Sequence, residues 1–129
     1  MSTKSKGTAG EREVLDFFWK AGWAALRTPG SGSAHFPSPD IIAGNGLRSL
    51  AIECKVTGTG KQYFTKDELA QLKEFASKFM AEPWVAVKYN RKGWFFFNLE
   101  DLHETEKMFA APFELAEQKG VAFEQLVKD

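Results

Sequence analysis

The sequence contains one cysteine, Cys54, and no long apolar run. A single cysteine excludes a disulfide bond within the chain and a cysteine-rich zinc site. The lack of a long apolar run excludes a membrane-spanning helix, and the polar residues 1–7 lack the apolar core of a signal peptide. We therefore expect a cytoplasmic protein that works inside the cell and has no membrane partner.

The chain also lacks a net charge, because 17 Lys and Arg residues balance 17 Asp and Glu residues. The two signs are nevertheless separated along the chain. Basic residues are frequent in the first half, and the segment after Leu99 is rich in acidic residues: Glu100, Asp101, Glu104, Glu106, Glu114, Glu117 and Glu124. A neutral protein that binds a polyanion must segregate its charge in this way, so the composition is compatible with nucleic-acid binding.

Length and composition predict one compact domain over residues 1–129, since 43% of the residues are hydrophobic and the chain is too short for two ordinary domains. Helical periodicity predicts helices over 8–21 and 65–79, and Thr65 with Glu68 fits a capping box. Short apolar runs between turn residues predict the strands, over 23–28, 40–43, 50–56, 84–88 and 94–98. This order predicts an α/β fold with a central mixed β-sheet flanked by helices. Residues 99–129 are expected to form a C-terminal helical extension.

Three charged residues lie where two predicted strands fold back on each other. Asp40 begins one strand, and Glu53 and Lys55 share one face of the next. Such acid-x-lysine triplets are common on solvated strands, but here the surrounding strand is apolar, where unused charges are costly. Carboxylates hold Mg²⁺, and a lysine can orient the attacking water or stabilise the charge that develops on a phosphate. The pattern therefore predicts a Mg²⁺-dependent nuclease, in which Mn²⁺ is expected to substitute.

Two further residues could complete this metal site. Glu11 lies on the first predicted helix at the edge of its apolar face, from which it could reach the sheet. Its alternative role is that of an exposed glutamate near a helix start, where the helix dipole favours a negative charge. Cys54 is expected to be a small buried residue, and its backbone carbonyl, rather than its thiol, could add an oxygen ligand.

Five segments, in this order, carry a resemblance to a known family. They are residues 6–13 (KGTAGERE), 26–33 (LRTPGSGS), 39–46 (PDIIAGNG), 51–57 (AIECKVT), and 84–89 with 93–96 (WVAVKY and GWFF). Together they cover most of residues 6–98 and resemble the archaeal Holliday junction resolvases. The resemblance implies a restriction-endonuclease-like fold, a homodimer, and cleavage of four-way DNA junctions by paired nicks in recombination and repair. It also implies association with the nucleoid.

The resemblance assigns roles to individual positions. It implies that Glu11, Asp40, Glu53 and Lys55 are catalytic, together with a loop serine that matches either Ser31 or Ser33. It implies that Arg27 contacts DNA, and Lys6, Arg12 and Lys88 are candidate contacts as well. Independently of the resemblance, Lys61 and Lys66 flank Tyr63 and Phe64 and could contact phosphates. It also suggests a dimer interface at Phe75 and Phe79, which lie at helical spacing.

Several alternatives stay open at this point. Phe75 and Phe79 could be core residues, and Lys61 and Lys66 could lie on a solvated surface. His35 could ligate a metal or be only a loop residue. The chain could also be a related nuclease that acts on linear or flapped DNA, or a non-catalytic DNA-binding subunit with the same fold, although such a subunit is expected to have lost Asp40, Glu53 or Lys55.

Overall fold

A five-stranded sheet and a three-stranded sheet form the framework of the protein, in a computed structural model that describes residues 3–28 and 36–128, with side chains from residue 7 onward. Ser31, Ser33, His35 and the side chain of Lys6 lie outside the described residues. The helices are α1 (Thr3–Lys20), α2 (Lys66–Phe79), α3 (Phe113–Lys119) and α4 (Phe123–Leu126). The strands are β1 (Ala24–Arg27), β2 (Ile41–Gly44), β3 (Ser49–Thr57), β4 (Lys61–Thr65), β5 (Glu82–Tyr89), β6 (Gly93–Asn98), β7 (His103–Glu104) and β8 (Met108–Pro112).

The larger sheet is mixed, as the sequence predicts. Its strand order is β1-β2-β3-β5-β6. β3 and β5 run parallel, and the other neighbours are antiparallel. The parallel pair requires a crossover, and α2 forms part of it. β3 therefore lies at the centre of the sheet, between β2 and β5.

Helices and the smaller sheet cover the two faces of this sheet, and successive residues of β3 alternate between the two cores. Ala51 belongs to a core formed with α2, β8 and α3. Ile52 belongs to the core under α1 and α4. By this alternation Glu53 and Lys55 lie on the same face as Ala51, which is the face that α2 covers.

The capping box that the sequence predicts at the start of α2 is present. Thr65 Oγ1 accepts a hydrogen bond of 2.9 Å from the amide of Glu68, and Glu68 Oε1 accepts one of 2.8 Å from the amide of Thr65. The helix ends at Phe79, and the next residue, Met80, has a left-handed backbone with φ of 60°. Both ends of α2 are therefore where local sequence signals place them.

The predictions for the tail and the first helix need correction. Residues 99–128 are not purely helical, because they contain a 3₁₀ turn, β7 and β8 before the two short helices. β8 pairs with β4, about fifty positions earlier, and β4 has no counterpart in the sequence prediction. Local periodicity cannot detect short strands that are defined by so distant a partner. α1 also begins at Thr3, five residues before the predicted start.

None of the helices in residues 3–28 and 36–128 is both long and apolar enough to span a bilayer.

Candidate active site

A cleft of about 840 Å³ lies where the end of β3 meets the starts of α1 and α2. It brings together six of the residues that the sequence singles out for chemistry or DNA binding: Glu11, Asp40, Glu53, Cys54, Lys55 and Lys88. Glu68, which the sequence identifies only as a helix cap, lines the same cleft. Ser31 and Ser33, the serines predicted to be catalytic, lie outside the described residues.

Asp40 is held directly before β2 by three hydrogen bonds to backbone groups of other residues, two made by its own backbone and one by its side chain. Its amide donates to the carbonyl of Ile52 at 3.0 Å, and its carbonyl accepts from the amide of Thr28 at 3.0 Å. Its side-chain Oδ2 accepts from the amide of Cys54 at 2.8 Å. Because Ile41 pairs with Ile52 in the antiparallel ladder, the next position places Asp40 opposite Glu53. The side chain of Asp40 is only 7% exposed.

Thr28 bridges the connection between β1 and β2, because it forms hydrogen bonds to two residues at the far end of that connection. Besides its amide contact to Asp40, its hydroxyl Oγ1 donates a hydrogen bond to the carbonyl of Pro39. Thr28, the residue directly after β1, therefore binds the two consecutive residues directly before β2.

The pKa of the Glu53 carboxyl group is raised by its surroundings in the cleft. Burial, followed by the charge of Asp40, raises the pKa of Glu53 to about 8. Lys55 acts in the opposite direction but does not offset the two larger effects. A bound cation would stabilise the ionised form of Glu53 beside Asp40.

Glu11 is paired with Arg27, the residue that the family resemblance assigns to DNA binding. Arg27 Nε lies 2.8 Å from Glu11 Oε1. Burial raises the pKa of Glu11, while the hydrogen bond from Arg27 works against that increase. Within residues 3–28 and 36–128, no three carboxylate, His or Cys side chains converge closely enough to hold one metal ion. Glu11 is paired with Arg27, and Asp40 is the carboxylate that acts most strongly on Glu53.

The position of Glu11 depends on a close approach between α1 and the sheet. Gly10 is buried, and a Cβ atom added there would lie 2.8 Å from Val56 Cγ2 on β3 and 3.3 Å from the Trp94 ring on β6. Only glycine allows the helix to lie this close. Gly10 is therefore a structural determinant of the site that its residue type alone did not reveal.

Lys55 forms an ion pair with Glu68 across the gap between β3 and α2. The Nζ atom of Lys55 lies 2.9 Å from Glu68 Oε2, and both side chains are 31% exposed. Burial lowers the pKa of Lys55, but the hydrogen bond and charge of Glu68 outweigh it, so the net pKa is raised. Lys55 is therefore a cation at neutral pH.

Three of the other basic residues predicted to bind DNA, Lys88, Lys66 and Lys61, have contacts within the protein. Lys88 Nζ lies 2.8 and 2.9 Å from the two carboxylate oxygens of Glu13, which also accepts a hydrogen bond of 3.0 Å from Trp94 Nε1. Lys66 pairs with Glu104 at 2.6 Å, and Lys61 lies 5.8 Å from the Tyr63 ring centre. Arg12 is exposed. Their assignment to DNA binding stays a prediction, because charges paired in the free protein can exchange partners when phosphates arrive.

Two other sets of predictions also remain untested. Phe75 and Phe79 stack with ring centres 5.2 Å apart. Phe75 is half-buried and packs against the core, whereas Phe79 is 53% exposed and leaves an apolar surface at the end of α2. Cys54 is buried, as expected, and burial raises the pKa of its thiol. The use of its carbonyl as a metal ligand stays a prediction.

Comparison with known proteins gives a consistent result. The family model of archaeal Holliday junction resolvases matches residues 2–129. The crossover junction endodeoxyribonuclease Hjc of Archaeoglobus fulgidus is 46% identical over 129 residues, covering 95% of each chain. Hjc of Sulfolobus acidocaldarius is 33% identical over 131 residues, covering 99% of this chain and 90% of that protein.

A solved structure agrees with these sequence matches. The structure of Archaeoglobus fulgidus Hjc, described as a Holliday junction resolvase, is similar with a TM-score of 0.86 and 42% identity, covering 94% of each chain. The matches extend through residues 99–129, which the sequence analysis treats as an extension. This acidic segment is therefore part of what the chain shares with its relatives.

Proposed function

The chain belongs to the archaeal Holliday junction resolvase family, and on this basis we propose that it resolves four-way DNA junctions by paired nicks in recombination and repair. The observation that carries the proposal is the cleft in which Asp40, Glu53 and Lys55 meet. The central mixed sheet with flanking helices is the restriction-endonuclease-like fold that the sequence predicts. Such a fold hosts many chemistries, so the site rather than the fold supports the reaction.

The proposal includes a requirement for Mg²⁺, for which Mn²⁺ is expected to substitute. Asp40 and Glu53 supply hard oxygen donors, and Mg²⁺ keeps several of its waters, so two carboxylates suffice. The raised pKa of Glu53 supports this assignment, because a divalent cation would relieve its repulsion from Asp40. Bound there, the ion would polarise a phosphate oxygen and make a coordinated water more acidic.

The residues of the chain itself would then orient the reactants. The Cys54 amide fixes the carboxylate of Asp40. Lys55, as a cation, would stabilise the charge that develops on the phosphate or orient the attacking water, and its raised pKa argues against a role as general base. Glu11 would support the ligand shell once a DNA phosphate competes for Arg27, its present partner.

DNA binding would rely on phosphate contacts. Arg27 and Lys88 each hold a glutamate at the edge of the cleft, so a bound phosphate would replace one anion with another. Phosphate contacts do not depend on the base sequence, which suits a protein that recognises the branched shape of its substrate. Junction affinity is expected to fall steeply as salt rises. We further propose that the protein acts inside the cell, at the nucleoid, where a DNA junction would be found.

A homodimer is part of the proposal. A two-fold symmetric dimer would present two clefts to a junction that has two-fold symmetry of its own, which yields paired nicks. The end of α2 supports an interface, because Phe79 is 53% exposed and the adjacent Met80 is 89% exposed. Exposed large apolar side chains side by side are typical of interaction surfaces.

The test compares three labelled substrates: a four-way junction, a linear duplex of matched sequence, and a flap. Each is incubated with the protein in Mg²⁺ or in EDTA, and Asp40→Asn serves as the inactive control. We expect paired symmetric nicks in the junction alone, lost in EDTA and in the variant. Equal cutting of the linear duplex would overturn the junction claim, and tight junction binding without cutting would indicate a non-catalytic subunit.

A further inference from the structure

Glu68 makes two contacts at once, and they join a helix start to the lysine of the cleft. Its Oε1 accepts the amide of Thr65 at 2.8 Å, and its Oε2 lies 2.9 Å from Lys55 Nζ. The first contact is one half of the capping box that begins α2. The side chain of Glu68 is therefore held by the backbone amide of Thr65, independently of its contact with Lys55.

Lys55 needs such a partner. A lysine has a flexible four-carbon stem, and ordering it costs side-chain entropy. Glu53, two residues away on the same strand face, is the nearest alternative anion along the chain. An ion pair between Lys55 and Glu53 would place the ammonium group on a carboxylate that the proposed function assigns to the metal ion. Pairing with Glu68 draws the ammonium toward α2 instead.

We propose that Glu68 is a positioning residue that holds the ammonium group of Lys55 beside the scissile phosphate and away from Glu53. This inference rests on the proposed function for the identity of the phosphate. The ammonium has three N–H donors, so it can keep Glu68 and still donate to a phosphate oxygen. The capping box thus has a second role, in which the start of α2 sets the position of a catalytic side chain on β3.

The chain offers a matched pair of variants that separate the two contacts. Glutamine also satisfies the third position of a capping box, so Glu68→Gln keeps the cap and removes the charge that holds Lys55. Thr65→Ala removes the hydroxyl that caps Glu68 but retains the Thr65 backbone amide that holds Oε1. The first variant tests positioning, and the second tests helix capping alone.

The first measurement does not depend on activity. In protein labelled with ¹³C and ¹⁵N at lysine, the side-chain signals of Lys55, assigned by their loss in Lys55→Met, report how ordered its ammonium group is. We expect Lys55 to be ordered in the original protein and in Thr65→Ala, and mobile in Glu68→Gln. A Lys55 that stays ordered in Glu68→Gln would overturn the proposal.

The second measurement is the single-turnover cleavage rate at saturating junction, with the junction Kd measured separately in EDTA. Glu68→Gln is expected to lower the rate about tenfold or more and to leave Kd within about twofold, because misplacement of a catalytic group affects the chemical step. Thr65→Ala should lower Tm and leave the rate unchanged. An unchanged rate in Glu68→Gln would overturn the catalytic part of the inference.

A double variant tests whether Glu68 acts through Lys55. In a Lys55→Met background, Glu68→Gln should cause no further loss of the residual rate. An equal loss in both backgrounds would show that Glu68 acts independently, and would overturn the positioning role. If the original protein failed to cut junctions, the proposed function would fall, while the lysine signals would still decide whether Glu68 holds Lys55.

Discussion

The side chain of Asp40 accepts a hydrogen bond of 2.8 Å from the backbone amide of Cys54, the residue that directly follows Glu53. The start of β2 and the middle of β3 are thus joined where their two carboxylates face each other. The bond uses one oxygen of Asp40 for architecture, and it holds the Asp40 carboxylate close to the carboxyl group of Glu53, whose pKa it raises. The carboxylate that the proposed metal requires at this position therefore lowers the stability of the metal-free protein.

Asp40→Asn should lower the single-turnover cleavage rate by about a hundredfold or more, because a metal ligand is removed. It should not lose stability in EDTA, since the Asn carbonyl can still accept from the Cys54 amide and the repulsion of Glu53 is gone. Thermal unfolding and single-turnover cleavage measure the two effects. Asp40→Leu is the control, because it leaves the amide unpaired and should cost about 1–3 kcal/mol of stability. A marked loss of Tm in Asp40→Asn would contradict this account.

The stability of the metal-free protein should depend on the protonation of Glu53. Its pKa is raised from 4.5 to about 8 by burial and by Asp40. A carboxyl whose pKa is raised on folding favours the folded state fully below pH 4.5, and this contribution is lost as pH rises through about 8. In EDTA we expect Tm to fall over this range, by an amount that corresponds to roughly 2–4 kcal/mol.

Glu53→Gln provides the matched test of that pH dependence. The variant should be more stable than the original protein in EDTA at pH 9, and the difference should shrink at pH 5. Added Mg²⁺ should raise Tm of the original protein at pH 9 and leave the variant unchanged. The same pH profile in both proteins would show that Glu53 is not the titrating group.

Gly10→Ala should destabilise the protein and reduce cleavage. The added methyl would overlap Val56 Cγ2 at 2.8 Å, which displaces α1 and with it Glu11. Gly7→Ala in the same helix is the control, since nothing lies within 4 Å of a Cβ there. Alanine is favoured over glycine in a helix by about 1 kcal/mol, so Gly7→Ala should stabilise the fold. Denaturant unfolding should separate the two variants by about 1–3 kcal/mol.

Phe79→Ser should weaken the proposed homodimer. The side chain is 53% exposed at the end of α2, so its removal costs the monomer little. Leu47→Ser is the control, because Leu47 is 95% exposed on the turn between β2 and β3. Sedimentation equilibrium should show a higher dissociation constant for Phe79→Ser only. A dimer that is equally stable in both variants would place the interface elsewhere.

The central part of the site could be predicted because its signals are local. Asp40, Glu53 and Lys55 belong to two strands that are joined by a short turn, so sequence separation and strand periodicity already place them on one face. The capping box of Thr65 and Glu68 is local for the same reason. The cleft confirms that these residues are brought together.

The remaining features depend on distant partners. The contact of Glu68 with Lys55 requires α2 to cross above β3, and the pairing of β4 with β8 joins segments about fifty positions apart. The Ala110-Ala111 pair within β8 has a helix-forming composition, so tertiary pairing overrides local preference there. Gly10 lies inside a helix, and the residues that leave no room for a side chain there, Val56 and Trp94, belong to β3 and β6.

The two hydrogen bonds of Thr28, to Asp40 and to Pro39, also bear on how this protein can be altered. They close the connection at its base, so the anchor of Asp40 does not depend on how many residues lie between. Extra length in a loop whose ends are already tied costs little free energy, about 0.6 kcal/mol for each doubling. A change in the number of residues between Thr28 and Pro39 is therefore expected to leave the metal-facing carboxylate in place, provided that Ser31 and Ser33, the serines predicted to be catalytic, are retained.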